Sequence, residues 1–309
     1  MRPKTMHKTV ISTIDVARLF NVTETTVKRW ADEGMLRCQK TPGGHRKFQI
    51  RNVIEFAEKN SFEPIGVLTL PGQEGQDAHL QMAILKRDYD ILVRTFVEKA
   101  LSPDRCDLYI FFSYLYEHRI ALWEIYDLIL RPGMIEIGDR WTRGEIGVSQ
   151  EHRASYETLD ALAKLQNEIL VKPATGESVV FACLGEELHE IGLRCAANVF
   201  ESEGWQTHYL GARTPPDAVV VAAQELRPTV VALSVTQGHA PESLIEDLHR
   251  IADVLAPAGI RLIIGGAGVP VSLHAEAWHN GVVNSARSLV GFIDTCTVER
   301  RARRVQEGG

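Results

Sequence analysis

The stretch VVFACLGEELHEIGLRCAANVFESEGW (Val179–Trp205) decides the reading of this chain. It opens on an unbroken apolar run rich in β-branched residues, the pattern of a strand buried on both faces. It then crosses a short acidic loop, Glu187-Leu188-His189-Glu190-Ile191-Gly192, and enters a segment with helical apolar spacing. The carboxyl end of a strand is where open α/β sheets hold their ligands. A histidine framed by acids at such a place invites a chemical explanation.

Downstream, WQTHYLG, TVVALSV and IRLIIGG repeat the strand pattern, and PPDAVVVAAQELRP and APESLIEDLHRIADVLAPAG lie between them with helical spacing. GVVNSARSLVGFIDTCTVERRARRV adds a last short strand and helix. The alternation predicts a Rossmann-like, doubly wound parallel-sheet α/β domain over residues 172–309. Its strand-end loops carry Glu187, His189 and Gly192 in the first, Ser234 and Thr236 in the third, and Gly265 and Gly266 in the fourth. CLGEELHEIG is not a GxGxxG fingerprint, no phosphate-binding GxxxxGK[ST] loop occurs, and Ser234 lacks a nucleophile elbow.

The first loop therefore offers one imidazole with a carboxylate two residues before it. A carboxylate on one ring nitrogen fixes the tautomer and makes the other nitrogen a better ligand. One protein ligand is too few for a closed zinc or iron site. A metal whose equatorial positions a macrocycle already fills needs only one, which points to haem or a corrinoid. A loop histidine that merely caps its helix is the plain alternative. Gly192 and the Gly265-Gly266 pair would let backbone pass close to a bulky group.

Residues 80–171 have helical apolar spacing throughout, with breaks expected at Pro103, Pro132-Gly133 and Gly144; four helices fit the length. Within them Trp141 is followed after nine residues by Glu151-His152, with Ser149 a candidate cap that puts both in a first helical turn. Alone, such a tryptophan reads as core and such a histidine as solvated. SFEPIGVLTLPGQEGQDAH, with two prolines and three glycines, reads as a linker over 61–79.

Residues 1–60 form a distinct head. STIDVARLF and TETTVKRWADEGML predict two short helices joined by a tight turn, capped by Ser12 (with Asp15 completing a capping box) and by Thr23. Thr25, Thr26, Lys28 and Arg29 would then lie on the open face of the second helix, where a major groove is read. Pro42-Gly43-Gly44 forces a turn whose edge carries His45, Arg46 and Lys47, donors suited to phosphate. The head holds 12 Lys and Arg against 6 Asp and Glu, whereas the other residues hold 22 against 34. A basic head on an acidic body fits a polyanion partner for the head alone. Five cysteines without a CxxC pair, no signal-peptide core and no apolar run of membrane-spanning length predict a reduced, cytoplasmic protein.

VARLFNVTETTVKRWADEGML and TPGGHRKF resemble the N-terminal domain of MerR-family regulators over residues 8–58. The resemblance implies a winged helix with Thr25, Thr26, Lys28 and Arg29 at operator DNA and His45, Arg46 and Lys47 in the wing. Glu187-x-His189-x-x-Gly192, Ser234-x-Thr236 and Gly265-Gly266 resemble the cobalamin-binding domains of the methionine synthase type, with SxT where SxL is usual. There the histidine replaces the nucleotide base beneath cobalt, which makes His189 the expected lower ligand. The freed tail passes the serine and the glycines. A regulator head, a helical cap and a cobalamin domain in this order resemble the CarH/LitR class of light-dependent repressors.

That resemblance implies adenosylcobalamin as ligand, with Trp141, Val148, Glu151 and His152 around the adenosyl group. It also implies a homo-oligomer, a tetramer in the dark, which releases DNA on illumination and turns nothing over. One departure stands out: the residue after the tryptophan, a histidine in the best-known branch, is Thr142. A light-independent cobalamin or tetrapyrrole sensor and a corrinoid methyl carrier are the competing readings.

Overall fold

A computed structural model gives the architecture. It describes residues 10–20, 22–41, 43–60, 80, 83, 84, 86–103, 108–236 and 241–307. The expected linker, 61–79, lies outside the described residues, as does Pro42. The chain divides into two compact units, residues 1–96 with 113–121, and residues 97–112 with 122–309.

In the first unit β1 (Val10–Ser12), α1 (Thr13–Leu19), α2 (Glu24–Asp32), β2 (Gln39–Lys40), β3 (Arg46–Gln49) and α3 (Ile50–Lys59) follow in order. The helices pack on Val16, Phe20, Val27, Trp30, Leu36, Phe48, Val53 and Phe56, all buried. The rings of Phe20, Trp30 and Phe56 meet at 4.7–5.9 Å between centroids. Thr23 caps α2 as its sequence suggests, its hydroxyl oxygen accepting from the Thr26 N–H at 3.3 Å. The expected wing is a three-stranded antiparallel sheet of order β1-β3-β2. Val10–Ser12 is too short to announce itself by alternation; pairing with β3 makes it a strand. Ser12 is therefore the last strand residue, and α1 starts directly after it.

Helices α4 (Tyr89–Leu101) and α5 (Leu108–Glu117) precede a helical run over residues 122–142. That run consists of α6 (Leu122–Glu124), a π-helical turn (Ile125–Leu130) and α7 (Arg131–Thr142). The break expected at Pro132-Gly133 does not occur. A proline ring collides with the carbonyl four residues earlier in an α-helix. Here the Arg131 N–H reaches back five residues to the Tyr126 carbonyl, and the widened turn lets the helix continue through Pro132. Gly144, left-handed at φ +72°, does end α7, and α8 (Val148–Leu165) follows.

The second unit holds the α/β domain. β4 (Ser178–Leu184), β5 (Gln206–Thr214), β6 (Val230–Ser234), β7 (Arg261–Gly265) and β8 (Gly281–Val282) form one parallel sheet of order β5-β4-β6-β7-β8. The intervening helices α9 (Ile191–Ser202), α10 (Pro216–Leu226), α11 (Pro241–Leu255) and α12 (Ala286–Glu307) fall where the sequence puts them. The direction of winding reverses at β4 and β6, so the ligand crevice of this topology lies beyond their carboxyl ends.

The 122–168 segment is fastened to the α/β domain by polar contacts. Asn198, fully buried on α9, donates to the Tyr126 hydroxyl at 3.1 Å and to the Leu162 carbonyl at 3.2 Å. Asp127 in the π-turn accepts from the first two N–H groups of α12, Ala286 at 2.8 Å and Arg287 at 2.9 Å. Those donors have no partner within their own helix. Asp127→Ala is expected to destabilise the chain by about 1 kcal/mol, the usual loss for a removed N-cap, read as a lowered urea midpoint at unchanged slope.

Candidate functional site

Glu187 is the centre of the site. Its carboxylate is buried, 1 % exposed, yet sits in a loop beyond β4. Burial of a carboxylate requires donors, and three of them lie among the described residues. Oε1 accepts from the His189 backbone N–H at 2.8 Å and from His189 Nδ1 at 2.5 Å; Oε2 accepts from the Thr236 N–H, beyond β6. One side chain thus bridges the two loops that flank the crevice. With Nδ1 donating to the carboxylate, the neutral ring keeps its lone pair on Nε2, and the imidazole is 58 % exposed.

The surroundings narrow what this nitrogen can serve. Burial, and then the Glu190 and Glu187 carboxylates, push the Cys183 thiol up to about 12, so it supplies no thiolate. Among the described residues no group of three or more His, Cys, Asp or Glu side chains could hold a metal ion. A bare ion would find one ligand here. A metal already held equatorially needs no more, so the donor set fits a corrinoid or a haem. Gly192, in the first turn of α9, has nothing within 4 Å of where a Cβ would stand, as an open ligand face requires.

Gly265 and Gly266 also face the chain's own backbone. A Cβ on Gly265 would stand 2.7 Å from the Val283 carbonyl oxygen, and one on Gly266, at φ +107°, 2.2 Å from that of Val235. The bulk they admit is the chain's own backbone. Gly268, which sequence reasoning missed, packs in the same way at 2.7 Å from the Thr236 oxygen. Ser234, the buried last residue of β6, lies in register between Cys183 of β4 and Gly265 of β7.

The second group of expected residues occupies the corner between α7 and α8. Trp141 is 49 % exposed and Val148 is also exposed, so neither is core. Gly147 occupies the N-cap position in place of Ser149, and the Gln150 side-chain oxygen accepts from its N–H at 2.9 Å. Glu151 lies in the first turn of α8 and accepts from the Ser155 hydroxyl at 2.8 Å. His152, 74 % exposed, has Nε2 3.7 Å from the Glu151 carboxylate. The Thr142 hydroxyl donates to the Gly138 carbonyl of its own helix at 2.9 Å.

In the head, Thr25, Lys28 and Arg29 are exposed on α2 and Thr26 is half-buried. Lys28 pairs with Glu24 at 3.5 Å, one turn away. His45 is exposed at the wing, and Lys47 lies in the central strand β3. Arg46 is engaged elsewhere: its guanidinium donates to both oxygens of Asp32 at 2.6 and 2.8 Å. It ties the wing to the end of α2, and it holds the Asp32 carboxyl below the usual carboxylate range.

Comparison with known proteins identifies three matching segments. Residues 10–61 match a helix-turn-helix domain, and residues 80–166 and 177–286 match two B12 binding domain families. The HTH-type transcriptional repressor CarH of Myxococcus xanthus is 29% identical over 263 residues, 81% of this chain and 87% of that protein. The HTH-type transcriptional repressor CarA of the same organism is 34% identical over 152 residues, 48% of this chain and 49% of that one. The monomethylamine corrinoid protein of Methanosarcina barkeri shares the fold, with a TM-score of 0.55 at 16% identity, over 66% of this chain and 97% of its own. The cofactor of the α/β domain is thus a cobalamin. Among the described residues no helix is long and apolar enough to cross a membrane.

Glu187→Ala would leave the Thr236 and His189 N–H groups without their acceptor. A loss of roughly 1–3 kcal/mol in unfolding free energy is expected, measured by chemical denaturation of the cofactor-free chain, together with weaker cobalamin binding in a spectral titration.

Proposed function

We propose that this chain, which in domain order and over most of its length matches CarH-type regulators, is an adenosylcobalamin-dependent, light-responsive transcriptional repressor. It binds operator DNA in the dark as an oligomer, a tetramer, and releases it on illumination. The observation that carries the proposal is the His189 imidazole, fixed by a buried carboxylate at the switch point of the sheet, in one chain with a helix-turn-helix head. The reading assigns ligand-controlled DNA binding and no turnover.

His189 would ligate cobalt from below through Nε2, with Glu187 holding the ring. Gly192, Ser234, Thr236, Gly265 and Gly266 would border the space taken by the nucleotide tail. Trp141, Val148, Glu151 and His152 would enclose the adenosyl group: the indole and Val148 supply apolar surface, Glu151 and His152 polar contacts. When bound, adenosylcobalamin supplies a cobalt–carbon bond that visible light breaks.

Packing couples the ligand to assembly. Covering a large apolar side chain is worth about 1.5–3 kcal/mol, so a ligand over Trp141 favours the covered cap by a factor of ten or more. A ligand shifts assembly only by such a difference between states. Several heads presented together then raise DNA affinity through effective concentration. Thr25, Thr26, Lys28 and Arg29 would read the groove, while His45, Arg46 and Lys47 would support the wing at the backbone.

A second reading, a light-independent cobalamin sensor, draws on Thr142, whose hydroxyl is bonded within its own helix and brings no nitrogen to the upper face. Absorption spectra and size-exclusion profiles with adenosylcobalamin, in the dark and after green light, separate the two. A His-ligated spectrum in a large dark species that shrinks on illumination is expected; bound cofactor with unchanged size selects the light-independent sensor. His189→Ala is expected to leave bound cofactor without its lower ligand, and Trp141→Ala to keep corrin binding but lose the preference for adenosylcobalamin over methylcobalamin.

For the head, Lys28→Ala and Arg29→Ala are each expected to weaken operator binding by about 1–3 kcal/mol and to narrow the gap between operator and unrelated DNA, measured by fluorescence anisotropy on both fragments.

A further inference from the structure

We propose that the bulged carboxyl end of β5, Gly211–Thr214, is the positioning element of the His189 loop, with Arg213 its key residue; this rests on the reading of His189 as the cobalt ligand. Three consecutive residues of β5, Ala212, Arg213 and Thr214, bond to the loop over residues 185–190. The Thr214 carbonyl accepts from the Gly185 N–H at 2.9 Å, and the Arg213 N–H donates to the Glu187 carbonyl at 2.9 Å. The Ala212 N–H donates to Glu190 Oε1 at 3.0 Å, and the Arg213 guanidinium pairs with Glu186 at 2.5 Å. A Cβ on Gly211 would stand 3.0 Å from that same Glu190 oxygen.

A regular strand cannot do this, because successive N–H groups point to opposite sides. Here the pairing with β4 slips twice: Phe181 faces Tyr209, Ala182 faces Gly211, and Leu184 faces Thr214. Each slip adds one residue to β5 and re-aims its backbone. The backbone turns through left-handed conformations, φ +86° at Gly211 and φ +53° at Arg213. Glycine takes the first freely. Arginine does not, and such a conformation persists only where surrounding contacts over-determine it.

The Arg213–Glu186 pair is largely exposed on both sides, which makes it a weak tether. The N–H to the Glu187 carbonyl, made with Arg213 in the left-handed conformation, is the contact that matters. It holds the backbone of Glu187, whose carboxylate in turn holds the His189 ring.

The test compares Arg213→Gly, which takes positive φ freely, with Arg213→Val, whose branched side chain resists it. Both are made in the full chain. Hydrogen exchange of residues 185–190 is followed without cofactor, and the dark spectrum is recorded with adenosylcobalamin. Arg213→Gly is expected to match the parent in both. Arg213→Val is expected to exchange the loop amides about tenfold faster, the loss of one hydrogen bond, and to show a population of cobalamin without its lower ligand. Parent-like exchange and spectrum in Arg213→Val overturn the proposal, as does equal disruption in Arg213→Gly. A lowered melting temperature in Arg213→Val with an unchanged His-ligated fraction means a structural role only and also overturns it. If Arg213→Val does not fold, Arg213→Ala against Arg213→Asn gives the same contrast more mildly. If the parent binds no cobalamin, the ligand reading falls on its own, and the exchange contrast still decides whether β5 holds the loop.

Discussion

The site depends on one buried carboxylate. Glu187 has its charge inside the protein at the end of β4, and three N–H donors make that tolerable. Each donor fixes something. The His189 amide closes the loop on itself, the ring nitrogen fixes tautomer and orientation, and the Thr236 amide joins the end of β6. Removing any one would leave the charge underpaired in a place that water does not reach. Glu187 thus ties together the two loops that flank the crevice between β4 and β6, and Nε2 of His189 is what the arrangement leaves over.

Much of this arrangement is legible in the amino-acid sequence. The central strands β4, β6 and β7 are buried on both faces, so their sequences are largely apolar and their boundaries show. Glu187 and His189, two residues apart, already imply a carboxylate behind an imidazole. The unreadable parts are those in which backbone meets backbone. Gly265, Gly266 and Gly268 are small because carbonyl oxygens of the segments after β6 and β8 press on them, and sequence records the smallness but not the neighbour. The π-turn before Pro132 is of the same kind, since a proline signals a lost donor without saying whether the helix stops or widens. Ser149 lost its expected cap position to Gly147, where Gln150 reaches back to close the turn instead.

The head shows how a residue type can be right and its role different. Arg46 suits phosphate in the sequence, but its guanidinium lies on Asp32 and braces the wing against α2. Lys28 is shared with Glu24 on an exposed face, a pair that is easily broken. The cations clear of an acidic partner in the head are therefore fewer than its composition implies. Non-specific affinity for DNA scales with the number of phosphates a protein neutralises, so on the proposed function several heads acting together would bind more tightly than one.

Comparable energies limit how the cap over the α/β domain can move. Tyr126 and Asp127 sit side by side in the π-turn and fasten it to α9 and to the start of α12, through a fully buried asparagine and a helix cap. Lifting the cap away would strand Asn198 and two helix N–H groups, several kcal/mol in sum, against the roughly 1.5–3 kcal/mol that covering one large apolar residue contributes. The corner between α7 and α8, with Trp141, Val148 and His152 exposed, lies well along the chain from these anchors and carries its own turn at Gly144. On the proposed function, the free energy gained by covering Trp141 would be too small to detach the π-turn. A ligand-driven change would then leave the π-turn as its fixed point and fall at the α7–α8 end of the cap.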